Sequence, residues 1–562
     1  MVNAEHNIII REGSILNPRS LRSELFSITG SLSGIHDFKI VLSDDGKTIN
    51  LDPSQPFAFD EEVTVSISKG METAAWKEVK AYSWHFTTHP EYSAAQKENF
   101  RKLGAEAFDE ENGSDCNTES STRDFADMFT IDVNTDPSPG DIFFDAWSSV
   151  HDTSEFAGYH IITPQGDSVF SRKLSFCTDF NLKLNGHPGV YNGDALSYDV
   201  LDSNFNVIDS FYPVNGYFPD EHEFMITPDN HVFIVCDENQ AIDMTVYDSS
   251  YSPNATVVSS VIQEFDASHV LIFEWRSFDY INIQEATHVD LSASYIDFVH
   301  TNSIYIDSDG NIIASHRRID QVTRIDRNTG DFIWRLGGVM NEFTFINEPE
   351  PFTFQHDARR IDNGNLTLFD NGNFHVPVHS SAKEYHLDEI NKTAELVWSY
   401  SHPSDTGANL LFYTALGSVQ RLTNGNTFIN WGWRKIASGN PNMTEVKPDG
   451  TIVWELTLTP ENNLISYRAR KFDWNPVSSV ATPDDFGCVV FPNPAHEAII
   501  VQSKSPFTKI SVINLMGQIV FSQNYNGVQN TVQLTTGDIA VGTYFLEIVS
   551  KDKLVTKKIM IE

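Results

Sequence analysis

Three histidines stand at the head of similar segments: His222 in "HEFMITPDNHVFIV", His300 in "HTNSIYIDSDGNIIAS" and His356 in "HDARRIDNGNLTLFD". Imidazole titrates near neutral pH and is the side chain best suited to give, take or share a proton at working pH. A single histidine at a repeat position is as readily explained by a hydrogen bond to the neighbouring unit's backbone. Three equivalent copies brought together are another matter, because like polar groups gathered in one place are costly without a purpose.

The elements that must position them are short strands. Each segment reads as a strand, a tight Asn/Asp/Gly turn and a second strand, and "GSVQRLTNGNTFINWG" from Gly417 is a fourth copy without a histidine. Asn-Gly and Asp-Gly supply the positive φ of two-residue hairpin turns, which explains "SDGN" and "DNGN" without a calcium ion. A second element follows each hairpin: "TRIDRNTGDFIWRLGG" to Trp334, "KEYHLDEINKTAELVWSY" to Trp398 and "TEVKPDGTIVWELTL" to Trp454. The spacing is 56 residues from His300 to His356 and 61 from His356 to Gly417.

Units of this size, four strands and a recurrent Trp each, are the signature of β-propeller blades. "GYHIITPQGDSVFSRKL" and "YDVLDSNFNVIDSFYP" fit as degenerate early copies, so six blades are expected over 140–480. The first strand of a blade lines the central channel, where the histidines would converge. Strand alternation puts His300 with Asn302, and His356 with Ala358 and Arg360, on one face, with Asp357 and Arg359 on the other.

The ends differ. Residues 1–90 alternate with period two ("FKIVLSDDGKTINLDPSQPF", "EEVTVSISKGM", "YSWHFTT") and resemble a bacterial Ig-like β-sandwich. Residues 91–139 hold a short helical stretch and then acidic, Ser/Thr-rich linker chemistry. Within it "DEENGSD" lacks the spacing of a calcium loop. The segment 487–562 is a second small β-sandwich.

Among 562 residues, 77 acidic against 38 basic give a net charge of −39, a field that repels nucleic acid and anionic membrane. Any anion must be held by a local basic pocket. Aromatics at 12% and charged residues at only 20% suit an all-β protein. The cysteines Cys116, Cys177, Cys236 and Cys488 show no zinc or redox spacing, so no metal and no cofactor is expected. No apolar run of about 18 residues suggests a membrane span, and no signal peptide is visible.

Taken together, "HTNSIYIDSDGNIIAS", "IDRNTGDFIWRLGG", "QHDARRIDNGNLTLFDNGN" and "LGSVQRLTNGNTFINWG" resemble the arylsulfotransferase (aryl-sulfate sulfotransferase) family over about 140–470. "FPNPA", "INLMGQIV" and "GTYFLEI" resemble the C-terminal sorting domain of type IX secretion substrates. The first resemblance implies a six-bladed propeller that moves a sulfuryl group from a phenolic sulfate ester to a phenol without a nucleotide donor, one histidine attacking sulfur and a second moving the proton. The second implies export by the type IX machinery to the outside or outer surface of a Gram-negative cell.

Carried over by position, His300 and His356 are the expected catalytic histidines. His222, Asn302 and His375 are expected to meet substrate, with Arg317 and Arg360 as candidate sulfate clamps, although a solvent-exposed blade edge is the commoner place for an arginine. The family's sulfurylated histidine lies on a later blade, where "LGSVQRLTNGNTFINWGW" has none. After "FDNGN" the family's arginine is replaced by a stretch offering His375, His379 and Ser381. Three alternatives follow: His300 or His356 is the nucleophile, His375 substitutes, or the chemistry differs. A non-catalytic propeller for surface binding or adhesion is the competing expectation.

Overall fold

The computed structural model describes residues 1–93 (except 45), 96, 125–148, 156–403, 410–433, 441–459 and 464–474. Within 489–561 it describes five strands and, between them, residues 495, 536, 537 and 539. The chain divides into two compact units, Met1–Asn475 and Pro476–Glu562. It is all-β, with only single-turn helices among the described residues. The expected helix, "DEENGSD", Cys116 and Cys488 lie outside the described residues.

The first unit begins with two small sheets. Ile8–Arg11, Thr48–Pro53 and Phe38–Leu42 form one; Gly34–Ile35, Phe26–Gly30, Glu62–Ile67 and Tyr82–Thr87 form the other. Alternation in "FSITG" and "EVTVSI" turns Phe26, Ile28, Val63 and Val65 inward, where they meet Ile8, Ile49 and Leu51.

Six sheets follow among the described residues, termed A to F here, antiparallel except where Tyr295–Asp297 in C and Thr344–Ile346 in E each add one parallel pairing. Sheets B to F start with Cys177–Leu182, Phe218–Ile226, Thr301–Ile306, His356–Arg360 and Ser418–Arg421 respectively, and each proceeds outward strand by strand in sequence order. Sheet A is composite. Asp141–Ser148, Gly158–Ile162 and Ser168–Lys173 take their inner strand, Ala469–Phe472, from the far end of the unit. Sheet F reciprocally takes its outermost strand, Phe129–Asn134, from the near end. The innermost strands neighbour one another in the cyclic order B, C, D, E, F, A and back to B, so the two exchanges close a ring and bind its ends together.

The recurrent tryptophans cement neighbouring sheets. Trp275 packs with residues of sheets C and D, Trp334 with D and E, Trp398 with E and F, and Trp454 with F and A. The four histidine-type and glycine-type repeats are the inner hairpins of sheets C to F. "GYHIITPQGDSVFSRKL" and "YDVLDSNFNVIDSFYP" instead supply the outer hairpins of A and B.

Two local expectations need correction. Asp307, Ile361, Leu422 and Lys447 each bond a residue four positions on, with Gly310, Gly364, Gly425 and Gly450 at positive φ. Only the glycine of each turn is left-handed, so these are three-residue loops with a glycine bulge rather than two-residue turns. The inner strands also break alternation: register shifts occur between Thr301 and Ser303 and between His356 and Arg359, and Asp357 has φ +57°. A bulge re-aims the side chains after it. Ala358 consequently enters the apolar layer between sheets D and E, while Asp357 turns to meet Arg468 and Arg470.

The second unit is one hydrogen-bonded sheet of Val489–Phe491, Ala498–Asn514, Ile519–Thr535, Gly542–Val549 and Leu554–Ile561. Its core includes Ile499, Val501, Ile510, Val512, Leu546 and Ile548.

Candidate active site

His222, His300 and His356 do come together where the inner strands of sheets C, D and E begin. His222 lies inside Phe218–Ile226, at an irregularity between Pro219 and Phe224. His300 immediately precedes Thr301–Ile306 with φ +55°, an uncommon conformation for a histidine and the kind of strain found at functional sites. His356 opens its strand. The rings of His222 and His300 meet edge to face with centroids 4.5 Å apart, and the Tyr467 ring lies 5.5 Å from that of His222.

The three rings are held differently. His222 Nδ1 lies 2.9 Å from both Asp220 carboxylate oxygens, and its backbone N–H donates to the same carboxylate at 2.8 Å. His300 Nδ1 lies 2.6 Å from Asp297 Oδ2. Among the described residues neither Nε2 has a hydrogen-bond partner. His356 is engaged at both nitrogens: Nδ1 donates to Asn371 Oδ1 at 2.7 Å, and Nε2 accepts from the Leu416 N–H at 3.3 Å. Asn371 is itself fixed by donating to the Tyr413 and Leu416 carbonyls at 3.0 and 3.1 Å. His356 is thus tied to the backbone leading into sheet F, the structural use open to any repeat histidine.

Electrostatics separate them further. Burial opposes a charge on His222, but Asp220 and Glu221 outweigh it and raise its pKa to about 9. Burial lowers the pKa of His300; Asp297 pulls the other way, while His222 and Arg317 reinforce the fall. Burial, with Arg317 next, pushes His356 well down. At neutral pH, His222 is therefore an imidazolium beside two neutral imidazoles. Burial works against the Asp297 carboxylate, yet His300, Arg318 and Arg317 hold its pKa below the usual range. Glu221 is driven up to about 7, chiefly by burial.

The remaining candidates divide. Arg317 is buried, not an exposed edge residue: its backbone N–H donates to the His300 carbonyl at 3.0 Å, its guanidinium donates to the Thr414 carbonyl at 3.2 Å, and it lies 4.6 Å from the Phe354 ring centroid. Asn302 is fully buried, donates to the Gln355 carbonyl at 2.8 Å and offers its own carbonyl to the Tyr467 hydroxyl at 2.9 Å. His375 lies four residues beyond Asn371, in the loop after sheet E's second strand. Arg360 sits at the other end of its strand, roughly 13 Å along at 3.3 Å per residue. There it is paired with Asp307 at 3.1 Å and Glu389 at 2.6 Å beside a cavity of about 450 Å³ that contains none of the histidines. It is neither exposed nor part of the histidine cluster.

Sequence reasoning missed Asp220, Asp297, Asn371 and Tyr467. The carboxylates had a signal, an Asp two or three residues before a His in "DEH" and "DFVH". Asn371 and Tyr467 had none, because their roles depend on contacts across sheets. Below the histidines the ring is crossed by buried charges. Arg468 reaches Asp179, Glu223 at 3.2 Å and Asp357 at 3.5 Å, and Lys183 Nζ lies 2.7 Å from Asp179.

Residues 195–468 match the family model described as Arylsulfotransferase (ASST), and residues 489–562 match the Secretion system C-terminal sorting domain. No curated protein matches. A protein of unknown function from Bacteroides caccae is similar at 14% identity and TM-score 0.38, covering 59% of this chain and all of its own. A streptogramin B lyase structure is similar at 10% identity and TM-score 0.33, covering 61% of this chain and 98% of its own. A virginiamycin B lyase from Staphylococcus aureus is similar at 10% identity and TM-score 0.30, covering 59% of this chain and 99% of its own. The sorting domain points to secretion or the outer cell surface, and no described helix is long and apolar enough to cross a membrane. The chain thus holds a region similar to the arylsulfotransferase (ASST) family, followed by one that matches the secretion system C-terminal sorting domain.

Proposed function

We propose that the protein is an exported sulfotransferase that moves a sulfuryl group from a phenolic sulfate ester to a phenol through His300. The observation that carries this is the pair His222 and His300, in ring contact, each Nδ1 on its own carboxylate and each Nε2 without a partner among the described residues. Environments that push two like groups apart in pKa mark acid and base assignments.

In the first half-reaction, the lone pair on Nε2 of neutral His300 attacks sulfur as the S–O(aryl) bond breaks. The leaving phenolate keeps that electron pair and takes a proton from the His222 imidazolium. Asp297 offsets the positive charge on the sulfurylated imidazole, and Arg317, whose backbone N–H bonds the His300 carbonyl, supplies positive charge for the sulfate oxygens. In the second half-reaction, the acceptor phenol returns a proton to His222, its oxygen attacks sulfur and the S–N bond breaks. His356, occupied at both nitrogens, is a positioning residue here.

In this reading sheets A to F are the six blades of a propeller over 140–480, to which Phe129–Asn134 adds the last blade's outer strand, so the expected linker of 91–139 ends before that strand. The N-terminal pair of sheets is an Ig-like sandwich over 1–90. The 487–562 domain is handled by the type IX machinery.

Incubation with 4-nitrophenyl sulfate and phenol tests the reading. Acceptor-dependent nitrophenolate release is expected, together with a gain of one sulfuryl mass on the His300 peptide when acceptor is withheld, both lost in His300→Ala. Release that survives His300→Ala refutes the assignment, and release indifferent to acceptor makes the protein a sulfatase. Absence of turnover leaves the binding reading, which the lack of a histidine at the head of Ser418–Arg421 favours.

A further inference from the structure

We propose that Glu350, His375 and His379 form a binding site for a zinc-class divalent ion. One nitrogen of each histidine and a carboxylate oxygen of Glu350 lie within 4.8 Å of one another, and the two rings are 4.8 Å apart. Two imidazoles and a carboxylate are a ligand set for such ions and leave a coordination position for water or an anionic oxygen.

The groups around the two histidines point the same way. His375 is buried, and its Nε2 faces the Pro351 carbonyl at 3.2 Å and Asp370 Oδ2 at 3.5 Å. With the proton there, the lone pair lies on Nδ1, which is buried and has no hydrogen-bond partner. His379 Nδ1 meets the Pro377 carbonyl at 3.0 Å, leaving its Nε2 as the donor atom. Metal-bound histidines are oriented by such carbonyl or carboxylate partners on the other nitrogen.

The backbone makes room for the cluster. Gly372 has φ +67°, and a Cβ there would fall 1.9 Å from the His379 carbonyl oxygen and 2.8 Å from His375 Nδ1. The "DNGN" glycine therefore does more than turn the chain: it lets both histidines close over the loop. In a tetrahedral zinc site donor atoms stand roughly 3.4 Å apart, so the loop contracts by about an ångström on binding. Asn371, which holds His356, belongs to the same loop, and the ion would stiffen that support.

The test uses the full-length chain stripped with a chelator and titrated with Co²⁺ and Zn²⁺. We expect one ion per chain, visible Co²⁺ ligand-field bands and a higher melting temperature with Zn²⁺. Binding is abolished in His375→Ala and weakened at least tenfold in His379→Ala, with exposed His386→Ala unaffected. If buried His375→Ala does not fold, His379→Ala and Glu350→Gln decide. No bound ion, unchanged affinity in those variants, or an equal loss in His386→Ala overturns the proposal.

Discussion

The charge on His222 is the sharpest handle on the mechanism, and Asp220→Asn is the substitution that removes it with least disturbance. Asparagine keeps an oxygen for the His222 backbone N–H, which now bonds Asp220 at 2.8 Å, but withdraws the negative charge. The lift from 6.5 to about 9 corresponds to roughly 3 kcal/mol at 1.36 kcal/mol per unit. At pH 7.5 it leaves ~97% of His222 protonated. Without Asp220, burial regains the upper hand and the ring becomes mostly neutral, cutting the protonated fraction about tenfold or more.

If His222 protonates the departing phenolate, the loss must depend on how much that phenolate needs the proton. With phenyl sulfate, a poor leaving group, kcat should fall on the order of 10 to 100-fold, within the range general acid catalysis supplies. With 4-nitrophenyl sulfate, whose phenolate leaves unaided, the fall should be a few-fold. The alkaline limb of the kcat profile, expected at about pH 9, should move to neutral pH or below. Equal losses for both substrates with an unmoved limb would refute His222 as the acid.

Two further predictions concern stability. Arg468→Met removes a fully buried cation shared by Asp179, Glu223 and Asp357, which keep Lys183, Arg359 and Arg470, so it should cost ~1.5–3 kcal/mol in lost charged hydrogen bonds, read as a lower urea midpoint with an unchanged slope; a loss under 1 kcal/mol would mean the network is not a fastening for the ring. His231 joins sheet C to the N-terminal sheets, with Nδ1 2.7 Å from Glu264 and Nε2 3.1 Å from Asp44, and Arg327 and Asp229 beside it. Burial opposes its charge, but Glu264, Asp229 and Asp44 raise its pKa to about 9. A raised histidine contributes stability that is full below pH 6.5 and lost as pH rises through about 9. The melting temperature should fall across that window, and less steeply in His231→Gln; parallel curves would refute the linkage.

Much of this was legible because repeats advertise themselves. The Asn/Asp/Gly turns, the tryptophan closing each unit and the 56- to 61-residue spacing correspond to the inner hairpins and intersheet packing of sheets C to F. The first hairpin of sheet B, "CTDFNLKLNGHPGVYN", went unread although Gly186, at φ +84°, makes the same turn, because no histidine opens the unit and no tryptophan closes it. The exchange of Phe129–Asn134 and Ala469–Phe472 across the unit is invisible locally: nothing within a strand states which distant edge it will complete. The site divides the same way. Strand heads brought three histidines together, but the faces of Ala358, Asp357 and Arg360 were misread, since alternation fails at a bulge that only φ +57° at Asp357 reveals.

The contrast between His300 and His356 shows why position in a repeat does not settle chemistry. Both stand at strand heads and both are less basic than free imidazole, although His356 is fully buried and His300 only half-buried. What differs is the partner set. His356 spends Nε2 on the Leu416 amide and Nδ1 on a neutral amide oxygen, so using it as a nucleophile would first break a bond that links sheets. His300 meets a carboxylate through Nδ1, which strengthens the ring as a base and offsets the charge created when Nε2 bonds to an electrophile, and that Nε2 has no bond to break among the described residues. The missing histidine of sheet F fits the same logic: Leu416 gives its backbone amide to His356, and at Gly417 a Cβ would already fall 2.5 Å from the Phe369 ring, leaving His222 and His300 as the pair free to share the chemistry.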